Sequence, residues 1–537
     1  MGAGRRFIQN GVRWVRSPSE RRILPHPAGY WLDVRLDGPI SEQSSPRGPG
    51  ASLGLLELLR TLDAVATDPR FDGVLIRISG ALGSFGHASA VGRSLARLKD
   101  SGKRVAVWAR GLSIDQYAMV AAADVLWMPE SAELYLMGLS IERFFLKGLL
   151  EQIGVRPEVV HVGRYKSAGE TFTRDGMSDT EREQLEAWQD DVFDELVGSI
   201  ARGRGLSPEE VRDRIDQGPY PARLALEAGL IDGLAYADEL DDRLEAVSME
   251  LKAHEQTARR VRRVEAGLYF QAVVDNPGWV PLFRPPACLV QWVAAGNISR
   301  SAASRGISDS GVQTLLEQIR LDPSVRGVLL RIESPGGDAL ASDLIHRQIE
   351  QLRREKPVVV SMGDVVASGG YYMAAAADAI FAEGVSLTGS IGVVGGKMNL
   401  EGLYEKLGVS REGVTRGARA GLLSEARGYS ADERAAVRRE METIYDTFLD
   451  RVASGRQLDR KEVEAVAQGR VWSGRRALDL GLVDMLGGPL EALEELLARA
   501  GLQGEAQVPI VTLPRRSFWP SWLWPMLSGA RGHASGL

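Results

Sequence analysis

Residues 364–380 read DVVASGGYYMAAAADAI, with a bare serine, Ser368, between Ala367 and Gly369. A turn accounts for Gly369 and Gly370, and a helix accounts for the alanines behind them. Neither needs the serine. A hydroxyl nucleophile at a helix start accounts for all three, provided the chain supplies a base. Of six histidines (His26, His87, His161, His254, His346, His533) none falls between 346 and 533, so a histidine soon after the serine is not available. His161, beside Val162, and His346, in an apolar-periodic stretch, read as packed side chains. No histidine pair has the spacing of a zinc motif. The one cysteine, Cys288, excludes a disulfide framework or multi-cysteine metal site and reads as a buried thiol.

A lysine remains. It serves as a base only as the neutral amine, and burial in an apolar site disfavours the ammonium form. The candidate is Lys166, in VGRYKSAGETFTRDGMS. The developing oxyanion also needs donors. SPGG at 334–337 can present a backbone N–H through Gly336, and the amide of Gly369 is the natural second donor. Taken singly, ASGG and SPGG are ordinary turns and a lysine is an ordinary solvated side chain.

What joins them is a repeat. DPRFDGVLIRISGALG begins at Asp68 and DPSVRGVLLRIESPGG at Asp322, 254 positions apart, and Asp124 and Asp378 keep that offset. Ser178 and Ser430, then Asp232 and Asp484, are 252 apart, so two residues are lost between the blocks. Each copy reads as α/β. RGVLLRI is a short buried strand, SPGG a turn, ALASDLIHRQIEQLRREK a helix and PVVVSM a strand, which implies parallel pairing through right-handed crossovers. Ser430 with Glu433, and Ser178 with Glu181, form capping boxes. The copies differ where chemistry is needed once. Ser368 maps to Ile114, Gly336 to Leu82, and Lys166 to Ala418 at the 252 offset. The two groups therefore belong to opposite copies, and the segment from Val162 to Met177 must cross to Ser368, with Tyr165 and Phe172 flanking a groove and drying the lysine.

These stretches, with SLTGSIGVVGG at 386–396 and GRVWSGRRALDLGLVDMLGG at 469–488, resemble the signal peptide peptidase A (protease IV) family of the long tandem type over roughly residues 55–500. The resemblance implies a tandem duplication of a crotonase/ClpP-like unit, Ser368 as nucleophile, Lys166 as general base, and peptide hydrolysis with no cofactor and no metal. It also implies a ring-like homo-oligomer. The substrate groove is assigned to Tyr165, Gly337, Gly370 and Ser390. Glu333 stands where the family commonly has asparagine, and the membrane anchor usual in long members is not recognised at the N-terminus.

The expected organisation is an N-terminal segment (1–54), a first repeat supplying Lys166 (55–245), a linker (246–285), a second repeat supplying Ser368 (286–500) and an aromatic tail (501–537). At 44% hydrophobic and 25% charged, the chain is globular. A net charge of −6 gives no footprint for nucleic acid. No apolar run reaches 18 residues, so a spanning helix is not expected. The basic stretch MGAGRRFIQNGVRWVR suits a short amphipathic segment touching a membrane surface, or a plain tail, and a cytoplasmic or peripheral location is expected. The leading reading is a serine endopeptidase acting on extended apolar peptides such as cleaved signal peptides. The alternatives are a catalytically quiet scaffold of the same fold and a crotonase-type acyl-thioester enzyme.

Overall fold

The computed structural model describes residues 23–26, 28–44, 52–251, 261–275, 286–300, 306–504 and 508–514. The basic N-terminal stretch and the tryptophan-rich C-terminal stretch lie outside them.

In the first copy, β1 (Tyr30–Leu36), β2 (Phe71–Ile78), β3 (Arg104–Ala109) and β4 (Val125–Met128) pair in that order, all parallel. Their helices are α1 (Leu55–Thr67), α2 (Phe85–Asp100) and α3 (Ile114–Val120). There follow α4 (Lys147–Ile153), β5 (Arg156–Val162) and the long α5 (Asp179–Arg204). The second copy repeats the plan. β6 (Cys288–Ala295), β7 (Val325–Ser334), β8 (Val358–Ala367) and β9 (Ala379–Ala382) form a parallel sheet, with β10 (Leu387–Gly389) also parallel to β8. Next come β11 (Val393–Asn399) and the helices α6 (Asp309–Leu321), α7 (Ala339–Arg353), α8 (Gly369–Ala374), α9 (Glu401–Leu407), α10 (Ala431–Arg456) and α11 (Pro489–Arg499). The chain is thus a tandem α/β protein. β2 and β7 are near-continuous apolar runs because helices cover both faces of a parallel sheet. The amide of Glu433 donates to Ser430 Oγ, and that of Glu181 to Ser178 Oγ, so both long helices start where the sequence placed their caps.

The sheets reach beyond the expected repeat boundaries. β1 comes from the stretch expected as an N-terminal segment. Arg262–Glu265, expected as linker, pairs with β1, and Ile510–Leu513, expected as tail, pairs with β6. These strands escaped the repeat comparison because their alternation is shared between the copies while their residues are not. Cys288 is half-buried beside Ser324, and His161 is exposed on β5, so neither is the packed side chain expected. His346 is buried, edge-on to Tyr372, and burial lowers its pKa to about 4.

Identical locks recur in both cores. The hydroxyl of Tyr117 donates to the Leu230 carbonyl (2.7 Å), and that of Tyr371 to the Leu482 carbonyl (2.8 Å). Asp232 and Asp484 accept the amides of Leu126 and Ile380 and pair with Arg204 and Arg456. The copies themselves meet across a polar seam. Arg93 of α2 binds Glu383 and Glu491, the Gly86 amide donates to Asp364, and Glu42 bridges His87 to Arg331. Tyr371→Phe leaves the buried Leu482 carbonyl unpaired, and a loss of about 1–3 kcal/mol is expected. Denaturant melts of the purified variant check this, and an unchanged midpoint would show that the lock carries no stability.

Candidate active site

β8 ends at Ala367, α8 begins at Gly369, and Ser368 holds the corner between them with φ +54° and ψ −119°. That backbone is costly for a residue with a Cβ. It persists because both sides are tied: the Ser368 amide donates to the Gly389 carbonyl (2.9 Å), and the Tyr372 amide to the Ser368 carbonyl (2.9 Å). The SPGG turn lies directly against this corner. A Cβ on Gly336 would stand 2.8 Å from the Ser368 Cβ, and one on Gly337 would stand 2.1 Å from the Ile298 carbonyl oxygen. Both positions therefore exclude any side chain. The Gly336 amide is directed to Ser334 Oγ (3.2 Å), which places it differently from the free oxyanion donor expected of it. A Cβ on Gly369 would lie 3.3 Å from the Gly337 nitrogen, so Gly337 and Gly369 adjoin each other across the corner.

Lys166 comes from the other copy. β5 leaves the ribbon at Val162, turns at Gly163 (φ +111°) and lays its loop on residues 468–470 of the second copy. The Tyr165 amide donates to the Gln468 carbonyl (2.8 Å), and the Ser390 amide to the Arg470 carbonyl (2.7 Å). Gly163 and Gly469 make the approach possible: a Cβ on Gly163 would stand 2.6 Å from the Gln468 carbonyl carbon, and one on Gly469 would stand 2.6 Å from the Lys166 Cβ. Gln184 of α5 fastens the loop. Its amide nitrogen donates to the Tyr165 carbonyl and Ser167 Oγ, while its oxygen accepts the Val471 amide.

The result is a junction of two side chains 202 positions apart. Lys166 Nζ stands 3.1 Å from Ser368 Oγ, 2.9 Å from Ser390 Oγ and 2.8 Å from the Ser390 carbonyl oxygen, within one chain. Lys166 is only 7% exposed, and burial lowers its pKa to about 7. Tyr165 is stacked under the Arg470 guanidinium and bonded to Glu183, and Phe172 is half-buried on the short turn after the lysine. Ala418 lies on an exposed loop and Ile114 is buried, so the mirror-image positions do not meet. The 254 offset persists through the left-handed helix caps Gly154 and Gly408, while 252 holds at Ser178 and Ser430. The two-residue loss therefore falls in the stretch that carries the lysine.

Sequence reasoning missed Gln184 and the role of Glu333. Glu333 accepts the amides of Asp364 (2.7 Å) and Val365 (3.2 Å). It pins the register shift between β7 and β8 just before the SPGG turn. Burial and the neighbouring Asp364 raise its pKa. Gln184 has no signal beyond being a buried amide on a polar helix. The acidic residue in place of asparagine at 333 was the signal for the other.

The pattern of Peptidase family S49 matches residues 97–252 and again 350–503. The chain belongs to peptidase family S49. It is 34% identical to "Serine protease SPPA, chloroplastic" of Arabidopsis thaliana over 91% of this chain and 72% of that protein. It is 28% identical to "Protease 4" of Haemophilus influenzae over 91% and 80%. A ClpP1 variant from Listeria monocytogenes aligns at 15% identity and a TM-score of 0.26, covering 38% of this chain and 94% of that one. The S49 chain is a serine peptidase with its family domain present twice.

The lysine sets a stability signature. Its pKa is depressed on folding, so below about pH 7 the folded state must hold a buried ammonium, and this cost is fully present there. Between about 7 and the ordinary value of 10.5, the unfolded chain binds more protons, so stability rises with pH across that window. Lys166→Met is expected to raise the melting temperature clearly at pH 6 and much less at pH 9.5. Equal gains at both pH values would mean that the amine is not buried as described.

Proposed function

We propose that this S49 peptidase is an endopeptidase in which Ser368 and Lys166 work as a dyad, acting on extended apolar peptides such as cleaved signal peptides. The observation that carries the reading is the 3.1 Å approach of a buried amine to the Ser368 hydroxyl. A neutral amine has two protons and one lone pair. Ser390 accepts both protons, one on its carbonyl oxygen and one on Oγ, which turns the lone pair toward Ser368. With a pKa of about 7, roughly half of the amines are neutral at neutral pH.

The steps follow. Ser368 Oγ attacks the scissile carbonyl while Lys166 Nζ takes its proton. The tetrahedral oxyanion is held by the amides of Gly337 and Gly369, the pair that adjoins the corner, with Gly336 shaping the turn. Lys166 returns the proton to the leaving amine, and an acyl-enzyme remains. Water then gives its proton to Lys166 as its oxygen attacks the ester; the bond from the acyl carbon to Ser368 Oγ breaks, Lys166 returns the proton to that oxygen, and the second product leaves with a free carboxylate. No step calls on a cofactor. Gly370 packs against the Ser334 carbonyl, where a Cβ would come within 2.7 Å, and so serves the corner rather than a groove wall. Apolar selectivity suits a peptide added edge-on to a strand, with pockets reading alternate side chains.

Ser368→Ala is expected to lower turnover of an apolar signal-peptide substrate by roughly 10⁴-fold or more, leaving only residual catalysis. Lys166→Arg is expected to be equally inactive, because a guanidinium stays protonated at any working pH. In the wild type, kcat/KM should climb through a limb near pH 7 and level off above it, as the amine loses its proton. A fluorophosphonate should label Ser368 with the same limb. Wild-type turnover by pure Ser368→Ala would remove the nucleophile, and full activity of Lys166→Arg would remove the base. A wild type inactive on every peptide would favour the quiet scaffold.

A further inference from the structure

The short helix that leads to the lysine's seat ends differently in the two copies. In the first copy, Pro208–Asp216 is helical through Asp216, and Gln217 after it keeps a right-handed backbone. In the second copy, Arg460–Val466 stops two residues sooner at the 252 offset. The register is otherwise kept: the Tyr220 hydroxyl donates to the Arg214 carbonyl, and Trp472 Nε1 donates to the Val466 carbonyl at the matching positions. Gln468, the counterpart of Asp216, and Gly469 then both take a left-handed backbone, with φ +54° and +77°. For a glutamine that conformation is costly. The fold of the copy does not demand it, since the first copy makes the same connection without it.

Hydrogen bonds account for the turn, because all four polar groups of Gln468 are engaged. Its carbonyl accepts the Tyr165 amide (2.8 Å) and its Oε1 accepts the Arg164 amide (3.3 Å), so both acceptors hold residues next to Lys166. Its own amide and its Nε2 both donate to the phenol oxygen of Tyr445 (3.2 Å each), which is buried on α10. The Arg164 N–H can only donate, and this fixes which end of the side-chain amide is the oxygen. The counterpart of Tyr445 is Phe193, which has no hydroxyl, and Asp216 is exposed. Phenol and glutamine thus occur together only in the copy that receives the lysine loop, the same reciprocity that singles out Ser368 and Lys166.

The same helix holds the serine. Arg451 of α10 bonds to Asp343 (3.0 Å), Asp343 accepts the Tyr372 hydroxyl (2.8 Å), and the Phe448 ring packs on the Tyr372 ring with centroids 4.5 Å apart. The Tyr372 amide in turn donates to the Ser368 carbonyl. The counterparts of Asp343, Tyr372 and Arg451 are Ser89, Ala118 and Ser199, so the first copy has no such network. We propose that Tyr445 is a positioning residue for this reaction: through Gln468 it seats the Lys166 loop on the second copy, so that α10 sets the distance between the amine and the Ser368 hydroxyl. Its part in catalysis rests on Lys166 being the base; its part in burying the amine does not. The charged and titratable groups around the loop are Arg164, Glu183, Arg470 and His161, the last bonded to the Gly163 carbonyl, and Asp446, Arg460 and Glu464 face Tyr445. The Lys166 amine bonds to none of them, only to Ser368 and Ser390.

Tyr445→Phe, which installs the first copy's own residue, keeps the ring and removes the acceptor of two N–H groups. With the fold checked by circular dichroism, kcat on an apolar signal-peptide substrate is expected to fall about 10²-fold. KM should stay within about twofold, because the base moves and the peptide's seat does not. The limb near pH 7 should move upward as the amine regains water. Gln468→Gly takes the left-handed turn without strain and keeps the backbone bonds while losing both side-chain bonds, so the same changes are expected in smaller measure. A second readout needs no substrate. The buried amine makes the wild-type melting temperature rise from about pH 7.5 to about pH 9.5, and the rise should be smaller in Tyr445→Phe. Lys166→Met with and without Tyr445→Phe should show equal rises. Wild-type kcat and pH limb in both Tyr445→Phe and Gln468→Gly, with the rise unchanged, would reduce the phenol to a core contact and overturn the proposal. An active Lys166→Arg would remove the base and the catalytic half of the proposal with it, whereas a smaller rise in Tyr445→Phe would still support the seat of the loop.

Discussion

A lysine amine taken out of water with no carboxylate bonded to it is costly as the ammonium and tolerable as the neutral amine. Among the described residues Lys166 has no acidic partner, only the carbonyl and hydroxyl of Ser390 and the hydroxyl of Ser368. The atoms that meet its amine belong to the second copy. The second copy supplies the cover: residues 468–470 beneath the loop, Ser390 at the amine, and the β8–α8 corner beyond. The glycines at 163 and 469, the Gln184 clamp and the Arg470 stack on Tyr165 all follow from bringing two backbones close enough to exclude water at that one atom.

The same requirement explains why the seam between the copies is polar. A cluster of apolar side chains of the second copy (Leu289, Leu329, Phe381, Leu496) takes in Leu56 of α1 from the first, but position is fixed by directional bonds. Arg93 reaches Glu383, which is almost fully buried, and Asp191 of α5 accepts from Ser473 and Arg476 beside the strand that edges β10. Replacing one partner of such a pair leaves the other charge buried and unpaired, a larger loss than the pair's own net contribution. These bonds set the register in which a lysine from one unit meets a serine from another within hydrogen-bond distance.

Much of this was legible in the residues. The duplication, the parallel α/β units and the serine caps of the two long helices follow from offsets and periodicity. The meeting of Ser368 with Lys166 follows from reciprocal losses, since each copy lacks what the other keeps. The edge strands were not legible, because YWLDVRL at 30–36 and CLVQWVAA at 288–295 share a pattern and almost no residues. The bond made by the Gly336 amide was not legible either. SPGG says that a backbone amide can approach, and only the bond from Gly336 to Ser334 Oγ shows which of the two is engaged elsewhere. Glu333 could be flagged from sequence but not interpreted, because its two acceptor bonds go to amides 31 and 32 positions away.

The chain order of the two halves has a consequence for synthesis. Lys166 leaves the ribosome about 200 residues before Ser368, and Gly469, on which the lysine loop rests, follows about 100 residues after the serine. Until that last stretch has emerged, the amine has no dry seat and keeps its ordinary proton, even with the serine corner already folded. A nascent or truncated chain ending before Gly469 therefore carries Lys166 and Ser368 without the cover that buries the amine. The fusion of the two copies into one polypeptide thus ties the burial of Lys166 to the emergence of the stretch around Gly469.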